Sequence, residues 1–270
     1  MSSAQRPVIS GVTQRVSAAV GRIVGRTGGH EHSVGGVTDI QPGPVHIQAG
    51  TVRLAYRTWG PAGAPPLVLL HALGEQSSDW APVAQALAPS WRVYAPDLRG
   101  HGTSDWAGPY TIEQLTADLA ALLDALELHQ VALGGHSLGG PPAYLHAARH
   151  PGRVTLLILE DPAPPWPRGP RAVARPDGPL PFDWDATALS NEFTDPQASW
   201  WRDELKRIQA RTLLIAGGPA SHVDQGQLAG MASLIPDCEL MTIPAGHLVH
   251  AVRPAEFTAA VTTFLSTQGK

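Results

Sequence analysis

Ser137 sits in the heptapeptide GGHSLGG, with Gly135 and Gly139 two residues away on either side. A serine hydroxyl is a poor nucleophile until a base takes its proton, and its reaction needs donors waiting for the oxyanion. The pattern G-x-S-x-G meets part of that need when it joins a strand to a helix. The turn is sharp and strained, so small residues are required where the chain crowds itself. The amide of the following residue, here Leu138, then points toward the oxyanion from a helix N-terminus. The context is right: an apolar run, Val131 to Leu133, precedes the motif and a helical stretch follows it. Such a serine does acyl-transfer chemistry if a histidine base and an orienting carboxylate lie elsewhere in the chain.

Other reactive residue types are less well placed. Cys238 follows Pro236 and Asp237 with no motif around it, as a packed small residue would. His146 and His150 are four apart on a helix, but no third ligand accompanies them, and a metal site needs one. His30 and His32 form an isolated pair in a Gly-rich stretch. No metal or organic cofactor is implied.

The elements that must position Ser137 alternate between short apolar strands and helices. Strands are predicted at 66–70, 91–95, 131–135, 154–159, 212–216 and 239–243, after a hairpin over 46–57 turned at Ala49-Gly50. Helices are predicted near 80–87, over 111–128 with an apolar stripe from Leu115 to Leu126, and over 141–149, 225–234 and 254–265. Pro141 and Pro142 fall in a helix's first turn, where proline is tolerated. Strands alternating with helices at short spacing give an α/β fold with a mostly parallel sheet flanked by helices. An insert from 162 to about 203 breaks the alternation. It holds eight prolines between Pro162 and Pro181, together with Trp166, Trp184, Trp200 and Trp201. Disordered segments are poor in aromatics, so the insert is expected to form a short ordered cap.

The chain has 270 residues and a formal net charge of −4, enough chain for one cored domain and no basic footprint for nucleic acid. One cysteine excludes an intrachain disulfide and permits a reducing compartment, so a cytoplasmic location is expected. No apolar run approaches the roughly 18 residues of a membrane span, so no stable membrane insertion is expected. Residues 1–45 carry Arg6, Arg15, Arg22 and Arg26 and only a weak helical spacing of Val12, Val16, Val20 and Ile23. They are expected to be a loosely ordered extension ahead of the domain at 46–270. Arg168, Arg171 and Arg175 are expected on a solvated face of the cap. The expected partner is a small-molecule substrate; the oligomeric state is left open.

From residue 46 onward the chain resembles the α/β-hydrolase superfamily. The resemblance rests on GHSLG, on LLHALGEQSSDW at 69–80, on APDLRGHGTSD at 95–105 and on IPAGHLVHAVRPAEF at 243–257, all in family order. It implies that His247 is the base, that the amide of Leu73 joins that of Leu138 in the oxyanion hole, and that His101 is a structural loop residue. Ala72 stands where the family usually has glycine. The same resemblance leaves His136 as a freely varying neighbour of the serine, and His250 is expected to pack or hydrogen-bond locally. The family's acid usually follows the strand at 212–216 as G-x-x-D, whereas this chain reads Gly217-Gly218-Pro219-Ala220. Alanine cannot fill that role. The family's second location, the end of the preceding strand, holds Glu160 and Asp161. Alternation sends these side chains to opposite sides, so only one can face His247. Alignment with relatives favours Asp161, with Glu160 and Asp224 as alternatives.

The function this implies is a serine hydrolase acting on an ester or lactone through a Ser-His-Asp triad and an acyl-enzyme. The tryptophans of the cap, Trp166 and Trp184 among them, imply an apolar part of the substrate. Two other readings remain: a relative using the same triad as a perhydrolase, lyase or C–C hydrolase, and a non-catalytic binder, which Ala220 alone favours.

Overall fold

The computed structural model describes residues 43–166, 174–194 and 201–266. The expectations placed on residues 1–42, and on Arg168, Arg171 and Trp200, lie outside these residues.

Apolar runs buried on both faces become the central strands. The described residues build one eight-stranded sheet in the order β1-β2-β4-β3-β5-β6-β7-β8. β1 (Val45–Ala49) and β2 (Val52–Trp59) form the expected hairpin, and β2 runs antiparallel to β4 (Arg92–Pro96). β3 (Pro66–Leu70), β5 (Val131–His136), β6 (Val154–Glu160), β7 (Arg211–Ala216) and β8 (Cys238–Thr242) continue in parallel from β4. All of β5 is buried, because helices cover both faces.

The helices are α1 (Ala81–Leu87), α2 (Ile112–Ala125), α3 (Gly140–Arg149), α4 (Trp201–Leu205), α5 (Gln225–Leu234), α6 (Val249–Val252) and α7 (Pro254–Ser266). α2 starts where the sequence predicts, since the Thr111 side chain accepts the Gln114 amide and caps it. Pro141 and Pro142 occupy the first turn of α3, where no helical hydrogen bond is lost. The short α4 and α6 escaped the sequence reading because four or five residues carry too little periodicity. One core packs α2 and α3 against the sheet; α1 and α7 close the other face with Trp80, Phe257 and Phe264.

The described part of the insert contains no strand longer than a single bridge. Its 184–194 stretch is 3₁₀ helix, in keeping with the proline-rich approach to it. It is tied to the body by main-chain bonds from Gly102 to Pro181 (2.9 Å) and from Asp183 to Gly100 (2.7 Å). Glu192 adds a third tie by accepting the Ile112 amide at the start of α2, where an anion is favoured. Arg175, the one described member of its arginine trio, is exposed as expected.

The loop after β4 that holds this insert depends on a buried ion pair. Arg99 grips both oxygens of Asp118 on α2, at 2.6 and 2.7 Å, and also donates to the Ala107 carbonyl at 2.7 Å. Both side chains are almost wholly buried. Removing one partner leaves the other charge uncompensated, which costs about 3–5 kcal/mol. Asp118→Ala is therefore expected to lower the unfolding free energy by about that amount in urea titrations.

Candidate active site

The parallel register determines where the reactive side chains meet. His136 pairs with Glu160 across β5 and β6, so Ser137 and Asp161 are the first residues past the two strand ends. Both turn there with left-handed backbones, φ 49° for Ser137 and φ 39° for Asp161. For a residue with a Cβ that conformation costs about 1–2 kcal/mol, and it persists because neighbours hold it. The Ala163 amide donates to the Ser137 carbonyl at 3.0 Å, and the Asp161 amide donates to the Ile215 carbonyl at 2.8 Å. The flanking glycines are sterically required. A Cβ on Gly135 would stand 2.3 Å from the Gly139 carbonyl oxygen, and one on Gly139 2.6 Å from that of Leu70.

His247 arrives on the loop after β8. Its Nε2 lies 2.8 Å from Ser137 Oγ and its Nδ1 lies 2.6 Å from Asp161 Oδ2. Asp161 is fully buried and its carboxylate is saturated with donors. The Gly217 amide reaches Oδ1 at 2.9 Å, the Gln225 side-chain amide reaches the same oxygen at 3.4 Å, and Ser221 Oγ donates to Oδ2 at 2.5 Å. Burial pushes the Asp161 carboxyl up, but the hydrogen bonds from His247, Ser221 and Gly217 outweigh it and hold it below the usual range. An ionised Asp161 can accept from Nδ1–H, an arrangement that would leave Nε2 free to accept from Ser137 Oγ.

Each competing carboxylate has another task. Glu160 points to the opposite side and accepts from the His250 amide at 2.8 Å and from His250 Nδ1 at 2.9 Å. Asp224 caps α5 by accepting the Gln227 amide at 3.0 Å. The loop that lacks the family's usual acid is directed at Asp161. Ala220 offers no side-chain acceptor, but Gly217, Ser221 and Gln225 from that loop and the start of α5 all donate to the Asp161 carboxylate.

The loop at residues 71–75, where the Leu73 amide is expected to meet an oxyanion, follows β3. His71 fixes it from within: Nδ1 donates to the Ala72 carbonyl at 2.8 Å and Nε2 accepts the Leu98 amide at 2.9 Å. Burial, the main effect, lowers its pKa, in keeping with this neutral tautomer. Among the described residues, the Leu73 amide meets no protein acceptor, and the Leu138 amide meets none outside its own 3₁₀ turn. His101 is buried, donates to the Arg99 carbonyl at 3.0 Å and stacks on Phe182, the structural part expected of it. Burial is the main reason its pKa falls to about 3.

Three residues were undervalued by the sequence reading. His136 does not vary freely here: its two ring nitrogens meet Glu75 and the His247 carbonyl. His250 bonds to distant Glu160 and stacks on Trp80 at 4.4 Å, so its contacts are not local in sequence. The exposed His222 ring lies 4.1 Å, centroid to centroid, from that of His247. None of these follows from a motif; each depends on chain segments far apart in sequence. Of the expected pocket residues, Trp166 packs against Gly230 of α5 with the Arg202 guanidinium 5.9 Å above its ring. Trp184 lies beside Phe182, 6.2 Å between centroids. Phe182 in turn covers Gly74 of the 71–75 loop, 3.4 Å from where a Cβ would stand. His146 and His150 stack on each other with no third ligand among the described residues. Burial pushes the Cys238 thiol up to about 11, away from thiolate chemistry.

A sheet of this order, with a serine turn past β5, an acid past β6 and a histidine after β8, defines a hydrolase scaffold, and comparison with known proteins agrees. A family model described as the alpha/beta hydrolase fold matches residues 65–217, more than half of the chain. The chain belongs to that family, and it is an enzyme of the hydrolase class. It is 28% identical over 253 residues to 3-oxoadipate enol-lactonase 2 of Acinetobacter baylyi, covering 80% of this chain and 94% of that protein. It is 40% identical over 112 residues to Lipase LipV of Mycobacterium tuberculosis, but this match spans only 42% of either chain. Among solved structures, a hydrolase from Pseudomonas aeruginosa superposes with a TM-score of 0.73 at 28% identity, over 84% of this chain and 99% of that one. Among the described residues no helix is long and apolar enough to cross a membrane.

The contact between the 217–221 loop and the histidine loop can be tested directly. A Cβ on Gly217 would stand 2.1 Å from the Gly246 carbonyl oxygen, one residue before His247, and 3.3 Å from Asp161 Oδ1. Backbone must move to admit it. Gly217→Ala is expected to cost about 1–3 kcal/mol of stability by denaturant titration, the usual penalty for overpacking.

Proposed function

We propose that this hydrolase cleaves a carboxylic ester or lactone through a covalent acyl-enzyme formed on Ser137. The observation that carries the proposal is the continuous chain of contacts from Ser137 Oγ through both ring nitrogens of His247 to Asp161, at 2.8 and 2.6 Å. In the first half-reaction Ser137 Oγ bonds to the carbonyl carbon while its proton passes to His247 Nε2. The tetrahedral oxyanion accepts the amides of Leu73 and Leu138. Its collapse breaks the bond to the alcohol oxygen, which leaves with the proton from His247. In the second half-reaction water gives a proton to the same nitrogen and attacks the acyl carbon, and Ser137 recovers its hydrogen as the acid departs. Asp161 keeps its negative charge throughout and steadies the imidazolium.

Two features support an ester or lactone with an apolar part. The chain is similar over most of its length to an enol-lactonase. Phe182 lies against the oxyanion loop, and Leu248, the residue after His247, is exposed. Trp184 continues the aromatic surface beside Phe182, whereas Trp166 packs on Gly230 of α5. The substrate is a small molecule rather than a nucleic acid, in line with a net charge of −4. The single cysteine fits a cytoplasmic setting.

Two measurements test the proposal. A fluorophosphonate probe is expected to add one adduct, which mass spectrometry maps to Ser137; an unlabelled Ser137 refutes it. Asp161→Asn, which places an amide against Nδ1 and favours the wrong tautomer, is expected to lower kcat on p-nitrophenyl esters by about 10⁴-fold. Asp224→Asn should leave kcat close to that of the parent; if it is Asp224→Asn that abolishes turnover, the acid is misassigned.

A further inference from the structure

Beneath His247 lies a buried group of ionisable side chains that the acyl-enzyme chemistry does not use. The His136 side chain has no solvent exposure. Its Nδ1 lies 3.0 Å from Glu75 Oε2 and its Nε2 lies 2.9 Å from the main-chain carbonyl of His247. The same Glu75 oxygen accepts the Ala72 amide at 3.0 Å. By covalent connection His136 precedes Ser137, and Ala72 precedes Leu73. One pair of side chains therefore touches all three parts of the site: the oxyanion loop, the nucleophile turn and the loop carrying the base.

We propose that Glu75 and His136 form an ionic tie that holds these three segments in register, and that His136 is a positioning residue for His247. The inference rests on the serine-hydrolase reading above. With Glu75 ionised, the geometry sets the charge of His136. Both ring nitrogens of His136 face acceptors, one a carboxylate and the other a carbonyl, and a carbonyl cannot donate. Neutral imidazole carries one N–H, so only the imidazolium satisfies both partners. The surroundings allow that charge. Burial lowers the His136 pKa, but Glu160, Glu75 and the two hydrogen bonds overcome it and carry it up to about 9. For Glu75, burial pushes upward, and the charge and hydrogen bond of His136 bring the carboxyl well below the ordinary carboxylate range.

The groups facing His136 come from four segments. Glu75 belongs to the oxyanion loop and Glu160 to the end of β6. The His247 ring lies 4.8 Å away on the loop after β8, and the His250 ring lies 5.1 Å away on α6. Glu160 is engaged by His250, which is stacked on Trp80. His136, Glu160 and His250 offer ligand atoms within 4.8 Å of one another, a spacing that could hold a metal ion. The two nitrogens of His136 already face Glu75 and the His247 carbonyl, and His250 Nδ1 already faces Glu160. A ring nitrogen that carries a proton cannot also bind a metal, so these contacts favour the tie over an ion.

The two amide replacements at position 136 separate positioning from simple structural support. Gln reaches about where Nε2 stood and can still donate to the His247 carbonyl; Asn reaches only the Nδ1 position. His136→Asn is expected to lower kcat on p-nitrophenyl butyrate about 10- to 100-fold with KM unchanged, the scale on which a small misplacement acts. His136→Gln is expected to recover most of that loss. The linkage runs in one direction: a raised pKa means that the tie stabilises fully below the unfolded value of about 6.5 and is lost as pH rises through about 9. Parental kcat should therefore decline as pH rises through about 9, and His136→Gln should lack this decline. Ring-nitrogen NMR of the parent at pH 7.5 should show both nitrogens of His136 protonated.

Equal losses in the Asn and Gln variants, or parental kcat in the Asn variant, overturn the positioning role. A neutral His136 ring in an active parent, or a stoichiometric metal ion by elemental analysis, overturns the tie but spares the hydrolase reading. A parent that a fluorophosphonate never labels at Ser137 overturns that reading and the positioning role with it.

Discussion

The parallel pairing of β5 with β6 is the constraint on which the site depends. Because His136 and Glu160 are register partners, the next residues of both strands leave the sheet side by side. Ser137 and Asp161 then turn with left-handed backbones, which aims both side chains at the space that His247 enters. A slip of one residue in either strand would send Asp161 to the face where Glu160 now stands, because strand side chains alternate. The register is held by strands that are buried on both sides, so the positions of the reactive groups follow from the core rather than from loop chemistry.

The buried carboxylate of Asp161 has a physical counterpart in the 217–221 loop. A buried carboxylate is costly unless its lone pairs are filled. In this chain the 217–221 loop and Gln225 do the filling, with a main-chain amide, a hydroxyl and a side-chain amide directed at Asp161. The absence of Asp at position 220 is therefore not an isolated loss. Gly217 lies so close to Gly246 that one added Cβ would clash, and the Gly217 carbonyl accepts the Gly246 amide at 2.9 Å.

On the opposite side of the reactive residues the strand alternation places His136 and Glu160, and these recruit Glu75 and His250. The site thus has two polar layers that share one backbone. The upper layer is Ser137, His247 and Asp161. The lower layer is a largely buried set of two carboxylates and two histidines, with His250 stacked on Trp80. The lower layer reaches the upper one through the His247 carbonyl.

Much of this was legible in the chain itself. Short apolar runs alternating with helical stretches define the sheet, since burial on both faces leaves a period-free apolar signature. The glycines around Ser137 announce the turn, because only they fit there. Glu160 and Asp161 could be narrowed to one facing His247 by alternation alone, yet which of them it was depended on the register of β5 against β6. The roles of His136 and Ser221 were not legible. His136 is fixed by Glu75, 61 positions away, and by His247, 111 away; Ser221 is fixed by Asp161, 60 away. Sequence by itself determined the fold class and the strained turn, which arise from local periodicity and steric demand. Only tertiary structure decided which carboxylate is desolvated and saturated with donors, because that depends on segments brought together by packing.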